Sequence, residues 1–597
     1  MNNSFTTRTR LFLCGSVAIA TILACSSRAG FDPREEVLLP PDGSAPETSA
    51  PTCGIHCSRD LKQVLDGCEG AETVVATCNA DEGCGDGKCV DACSAATLSK
   101  GSAGCDFWTV YPDSPGESRG SCFAVLVANT WDRNVTIAAE HGSDTLDISK
   151  STYVIDWGGH APTYTPLEGP LPPGKIAGVF LSYDAASSSP HKVSCPAAVT
   201  PALLQDPMKY GTVKTKAFRI RTDAPVAAYS VAPYGGFESF EPTATLLLPT
   251  SSWTKNYIAV SPFDFGETRK PRTLQIIANE DGTEITMRPT VDVRAGVDIA
   301  SAPAGTTQTW SLDRGQVLQF YQSSLTGTPI EATKPIAVFG GSHCDFLPVM
   351  YCDMLQQQIP PFAQWGTEYA VVPYQPRIPS VGADTTSARE LVPYTIVGAV
   401  DDTVLTYEPS RPRDAPETLK SNESVSFMTD QLFVVKSQDS KHPFHVSTYM
   451  TGATFGGGVP GNVTLGDPDF VNVPPTDQYL DRYIFLADFT FPDTMLTIVR
   501  KATTKGFAPV ELECAGEVTD FSPLGTSGKY EFAWVKITEG FVPQQFAKGT
   551  CGYGRHEVHS DGPFSVSVWG VGPYSSYGFV GGMGLRPIHT APPPTVR

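Results

Sequence analysis

Few residues of this 597-residue chain stand where their types and spacing would do chemistry. His343-Cys344-Asp345 sets a thiol beside a base and an acid, the parts of an activated cysteine nucleophile. Neighbours on a strand point to opposite faces, so His343 and Cys344 would not face each other. Cys352 follows closely, and a Cys344–Cys352 disulfide pinning the intervening loop is the better reading in an oxidising compartment. Cys122 with Cys195 and Cys514 with Cys551 are further candidate disulfides, although sequence alone does not fix connectivity. No Gly-x-Ser-x-Gly elbow, His-Glu-x-x-His helix or phosphate-cradling glycine loop is present. A glycosidase pair among the many carboxylates would be invisible at this level. Asp81-Glu82, Asp86 and Asp401-Asp402 offer oxygen ligands for Ca²⁺, but none follows the twelve-residue loop pattern, and each reads more simply as a solvated turn. Trp253, Trp365 and Tyr374 could stack on sugars. Trp253 and Trp365 recur at a fixed period, however, which favours core packing. No catalytic, cofactor-binding or metal-binding residue is therefore assigned.

The elements that would position these residues begin with an export signal. Arg8 and Arg10 precede an apolar run from Leu11 to Ala24, too short to span a bilayer comfortably and laid out as a secretory signal peptide over 1–24. The run ends in Ile22-Leu23-Ala24-Cys25, which resembles the lipobox of bacterial lipoproteins. In that family the chain is cut before the cysteine, which is then acylated, so Cys25 is the expected lipidation site and membrane anchor. Ser26 after it resembles lipoproteins sorted to the outer membrane of Gram-negative bacteria. The chain has 16 cysteines. Without Cys14 of the signal and Cys25 the remainder is even, as expected of up to seven disulfides in an oxidising compartment. A formal charge of −20 with no basic patch argues against nucleic acid as a partner.

Residues 25–51 are rich in proline, serine and charge and read as a flexible tether. The segment 52–104 packs cysteines densely around Cys78, Cys84, Cys89 and Cys93 with few apolar residues, so disulfides must stand in for a core. Zinc is the weaker alternative there, since paired CxxC spacing is missing and only His56 is nearby.

From Cys105 onward, short runs rich in Val, Ile, Thr, Tyr and Phe alternate with Gly, Pro, Asn and Asp, the texture of an all-β chain. A weak internal repeat runs through it. Pro225, Pro335, Pro443 and Pro563 each sit between a polar turn and an alternating strand, at intervals of 110, 108 and 120 residues. Proline suits the first residue of a strand, where no ladder donor is lost. Trp253 with Tyr257, Trp365 with Tyr369 and Tyr479 with Tyr483 open strands in step with the prolines, and Cys105-Asp106-Phe107-Trp108 begins the same element earlier. A hairpin follows each opening, over Ala124–Ile137, Leu274–Met287, Thr395–Tyr407 and Leu496–Leu512. The expected fold is four tandem β-sandwich-like modules of about seven strands, at 105–240, 250–345, 362–455 and 478–590. A β-propeller is the alternative.

The stretch from Pro329 to Cys344, followed by Tyr351-Cys352-Asp353, Gln358-Ile359-Pro360-Pro361 and Trp365-Gly366-Thr367-Glu368-Tyr369, resembles the N-terminal domain of IgGFc-binding protein and its bacterial surface relatives. The resemblance covers about 200–590 and is strongest at 329–373. It implies an extracellular recognition or matrix-type module, and no residue motif for Fc contact carries over. The expectation is a non-enzymatic, cell-surface lipoprotein that needs no cofactor and acts in adhesion or in recognition of an extracellular protein or glycan. Self-association into an envelope or matrix structure is the second reading, and a secreted hydrolase the third.

Overall fold

The computed structural model describes residues 53–596 except 59, 69–71, 114–115, 158–160, 263–270, 346–352, 378–389, 454 and 456–463. The signal peptide, the tether, Cys25 and Cys352 therefore lie outside the described residues. From Pro51 onward the chain forms one compact unit built almost wholly of antiparallel strands.

The cysteine-rich segment is two small sheets and a helix. Strands Cys53–Cys57, Gln63–Cys68 and Thr73–Thr77 form one sheet, and Glu82–Gly85 with Lys88–Asp91 form a hairpin. Helix Ala92–Ser99 starts at Asp91, whose carboxylate accepts the Ser94 N–H at 3.0 Å, a side-chain N-cap. The segment's own core is Val64 among cysteines, so the Cys57–Cys84 and Cys78–Cys89 bonds replace apolar burial. Cys93–Cys105 staples it to the body. Lys62 lies over the Trp131 ring and pairs with Asp132 at 2.6 Å, adding a second attachment.

The body repeats one plan four times. An opening strand comes first: Gly104–Thr109, Thr254–Ile258, Glu368–Val371 and Leu480–Ala487. A long strand comes late: Phe218–Ala232, Pro329–Asp345, the pair Phe433–Ser437 and Phe444–Met450, and Gly554–Gly572. A closing strand ends each module: Thr243–Leu246, Asp353–Ile359, Asp469–Asn472 and Ser575–Val580. The first half of each long strand pairs with the opening strand. The second half pairs with the closing strand. In three modules one bent strand thus serves two layers, and in the third a pair of successive strands does so, the arrangement of a sandwich whose corner is turned along one stretch of chain.

This geometry corrects two expectations. Pro225, Pro335 and Pro563 lie within the long strands, and only Pro443 stands just before one. They occupy the break in the ladder: Thr254 pairs with Ile336 and Asn256 with Glu331, leaving the intervening residues of the long strand unpaired on that side. A residue without an N–H is tolerated at such a break. The expected hairpins are not hairpins either. Arg272–Ala278 and Thr283–Met287 both pair antiparallel with the long strand, over its later and earlier halves, and not with each other. The turn at Asn279–Gly282 carries the chain across the bend.

The opening tyrosine locks that bend. The Tyr257 hydroxyl donates to the Ile336 carbonyl at 2.6 Å, Tyr369 to Phe444 at 2.5 Å, and Tyr483 to Phe564. Each acceptor is the residue after the marker proline. The Tyr369 and Tyr483 hydroxyls also accept the N–H groups of Gly366 and Leu480, both at 2.8 Å. In the first module Phe107 stands at this position, fully buried. A methyl group at Gly366 would fall 2.1 Å from Pro475 Cβ, and at Gly104 2.4 Å from Pro249 Cβ. Glycine is required where these opening strands press on the proline that leads into the next module.

The modules pack in a closed cycle. Separate apolar clusters join the first to the second, the second to the third, the third to the fourth, and the fourth back to the first. Strands Phe123–Asn129, Arg272–Ala278 and Val392–Gly398 are accordingly buried on both faces. At the seam between the fourth and first modules, the Tyr229 hydroxyl lies 2.5 Å from the Ile484 carbonyl oxygen and 2.7 Å from that of Gly581. The sheets of these two modules share no strand, so a propeller closure is not found and the seam closes by packing. Tyr369→Phe should destabilise the body by about 1–3 kcal/mol, since it strands a buried carbonyl and N–H. Urea unfolding monitored by tryptophan fluorescence checks this, and an unchanged midpoint would remove the lock from the account.

Candidate functional site

The structure places the nominated residues as follows. Cys122 is bonded to Cys195 and Cys514 to Cys551. Cys344 is disulfide-bonded and buried, so it is no thiolate nucleophile. His343 lies on the strand's other face, with Nδ1 3.4 Å from Asp113 Oδ1 and its ring against Tyr321. Among the described residues no serine or threonine hydroxyl is hydrogen-bonded to His343. Ser447 Oγ lies 3.5 Å from His445 Nδ1, but both residues are buried in the core, and burial pushes the His445 imidazole down to about 3. The Trp253 and Trp365 indoles donate to the carbonyls of Leu248 and Pro360, both at 3.1 Å. Tyr374 stands edge-on to Trp569 with ring centroids 5.4 Å apart. All three aromatics are interior and present no platform for a sugar. Asp401 accepts the Ser421 N–H at 2.9 Å in a turn, and Asp86 and Asp402 occupy turns at φ 50° and 58°. Among the described residues no group of three His, Cys, Asp or Glu side chains converges as metal ligands do.

The feature that sequence reasoning missed is a polar hub. The closing strands of the first and fourth modules each lie against that of the second, as does the third's, and the fourth's also touches the first's and third's. Gln356-Gln357-Gln358 joins them. Gln357 Oε1 accepts the Thr245 hydroxyl at 3.0 Å, while its Nε2 donates to the Ala244 carbonyl at 2.9 Å and to that of Gly578 at 3.1 Å. One side chain thereby holds strands of three modules. Gln358 accepts the Leu248 N–H at 2.8 Å, and its carbonyl accepts from Asn472 at 3.0 Å. Gln356 Nε2 donates to Gln275 Oε1 at 2.7 Å, and Gln275 Nε2 to Gln319 Oε1 at 2.7 Å. A buried amide so paired avoids the desolvation penalty of a lone polar group and fixes a single register. The only sequence signal was the glutamine run itself, which in a strand would ordinarily read as half solvent-facing.

Acids crowd the same region. Glu241 and Asp467 each stand two residues before a closing strand, and Asp353 and Asp469 begin one. All four are buried. Burial pushes Glu241 up to about 8, against a Ser118 hydroxyl that donates at 2.7 Å. Burial likewise raises Asp467 to about 7, and lifts Asp353 and Asp469 well above the carboxylate range. Two buried ion pairs flank them, Arg272–Asp345 and Arg377–Glu390, both at 3.0 Å.

A cleft opens between the first and fourth modules, walled by Trp157, Tyr229, Tyr234, Phe489, Phe491 and Phe579. It encloses about 30 Å³, room for a water or two and far below a small-molecule site.

The fold and its interior define a disulfide-stapled, all-β repeat protein in which four modules are organised around a buried polar hub. A model of the IgGFc binding protein family matches residues 243–570, more than half of the chain, and the chain belongs to that family. The match begins at Thr243, where the first closing strand starts, and ends within the fourth long strand. No curated protein matches the chain.

The Cys122–Cys195 bond closes a loop of 73 residues, for which chain entropy gives about 4 kcal/mol. Replacing both cysteines by alanine should lower the thermal midpoint clearly, and calorimetry checks it. A midpoint unchanged within a degree would show the bridge idle.

Proposed function

We propose that this protein is an exported lipoprotein, anchored through Cys25, whose β modules bind an extracellular protein or glycan and which acts in adhesion or surface recognition without catalysis. Membership of the IgGFc binding protein family over 243–570 carries this reading. The disulfides support export to an oxidising compartment, and no described helix is long and apolar enough to cross a membrane. The small interior cleft favours a macromolecular ligand, recognised on the outer surface, over a small molecule enclosed in a pocket. Several modules held rigidly together present multiple contacts at fixed spacing, which raises avidity when the ligand repeats.

Self-association is favoured by a different observation. Strand Thr73–Thr77 is the edge of its sheet, carries no charge or proline, and is exposed along its whole length. An unguarded edge of this kind pairs readily with another strand.

A soluble body of residues 52–597, exported to an oxidising compartment, should give saturable binding on an array that includes IgG Fc, other host proteins and glycans. The signal should survive high salt and vanish on reduction. A blank array with folded protein would sink the recognition reading, and concentration-dependent growth in light scattering would then move the weight to self-assembly. Separately, Cys25→Ser should abolish incorporation of radiolabelled palmitate and release the protein from membranes. Persistent labelling of the variant would refute the anchor.

A further inference from the structure

The hub contains a group that ordinary structural chemistry leaves unexplained. Asp353 is 0% exposed, and among the described residues neither of its carboxylate oxygens has a hydrogen-bond partner. The charges that act on it are all of its own sign, from Asp467, Glu241 and Asp469. Asp469 is 1% exposed; one of its oxygens accepts the Phe470 N–H at 2.6 Å, and the Gly578 N–H also bears on its carboxylate. The nearby cations are committed elsewhere. Arg272 pairs with Asp345, the residue opposite Asp353 in the ladder. Arg377, which faces Asp467, pairs with Glu390 and donates to the Thr451 and Leu465 carbonyls. Glu117 adds a further like charge beside Glu241.

These acids come from three modules: Glu241 from the end of the first, Asp353 from the second, and Asp467 and Asp469 from the third. Ionised, these buried carboxylates would repel one another with only Arg377 bearing on Asp467 from the opposite sign, and would drive the closing strands apart, because a poorly compensated buried charge costs far more than the packing around it returns. As neutral acids they cost only the burial of a polar group. We propose that the hub is a proton-held latch: the closing strands of the first three modules stay together while these carboxyl groups are protonated, and the ring loosens at its centre as they ionise.

The direction of the pH effect follows from linkage. A carboxyl group that holds its proton more tightly when folded contributes its full stability below the unfolded value, about 4. That contribution is lost as pH rises towards the folded value, about 7 for Asp467 and about 8 for Glu241. The latch is therefore tightest below about pH 4 and weakens from there up to about pH 8. Buried histidines act in the opposite sense within this window: burial holds His445 down to about 3 and His141 and His556 down to about 4, so each gains stability as pH rises towards the unfolded value of about 6.5, and the latch shows in the difference between wild type and variant.

The test is the thermal midpoint of the full-length protein in detergent at pH 5.0, 6.5 and 8.0, compared with Asp353→Asn and Glu241→Gln. The wild type should fall progressively below each variant as pH rises. Each neutral variant should melt higher than wild type at pH 8.0, by about 1–3 °C, and nearly with it at pH 5.0. Two variants guard against one failing to fold. Wild-type and variant profiles that run parallel across pH 5–8 would overturn the latch. So would millimolar Ca²⁺ raising the wild-type midpoint at pH 8.0 but not that of Asp353→Asn, since a cation and not a proton would then hold the acids together.

Discussion

Everything in this body hangs on a long strand that turns a corner, continuous in three modules and split between Ser437 and Phe444 in the third. A strand long enough to serve two layers must interrupt its ladder at the corner, and each interruption frees a buried carbonyl and N–H that must find partners. Proline removes the need for one donor. A tyrosine from the opening strand supplies the missing donor to the carbonyl after it, in the second, third and fourth modules. The same hydroxyl accepts a backbone N–H in the third and fourth. The tyrosine thus ties the start of each module to its end, some 75–81 residues later in the chain. The first module does without the hydroxyl, with Phe107 in its place. There the segment before the opening strand is held instead by Cys93–Cys105 and by Ser102 and Lys100, which bind the backbone of Met583 and Leu585.

Once the corner is fixed, the second strand of each module is sandwiched between its own core and that of a neighbour. This explains why its residues are buried without alternation. Apolar packing between modules is non-directional and would tolerate sliding of one sheet over the next. The polar hub removes that freedom, because Gln357 can satisfy its amide only when Thr245, Ala244 and Gly578 stand at one spacing. Directional bonds at the centre set the register, and apolar clusters further out supply most of the cohesion.

The repeat was legible because its markers are residues with few alternatives: a proline at the corner, and an aromatic pair opening each module. What the corner meant was not legible. A proline before an alternating run fits a strand start as well as a bend, and only pairing with strands far away in sequence decides between them. The turn at Asn279–Gly282 misled for the same reason, since local turn chemistry says nothing about whether flanking strands pair with each other or with a third. Gln356–Gln358 and the acids at Glu241, Asp353, Asp467 and Asp469 escaped notice because polar residues near strand ends ordinarily meet solvent. Their burial is imposed by other modules, and sequence periodicity carries no trace of it.

The cycle of four modules has one weak place, and the covalent bonds gather there. The other three junctions are bridged by the running chain, whereas the first and fourth modules meet only through the seam. Among the described residues two disulfides of the body lie on it: Cys122 and Cys551 are members of the apolar cluster that fills the seam, and Cys195 and Cys514 pack against it. Each bond joins two parts of a single module, so neither crosslinks the seam directly. They act by stiffening the two surfaces that must meet, which lowers the entropy lost when the surfaces dock. A family match that starts at Thr243 omits most of the first module, yet that module supplies half of the seam. The stretch that defines the family and the stretch that closes the fold are therefore different lengths of the same chain.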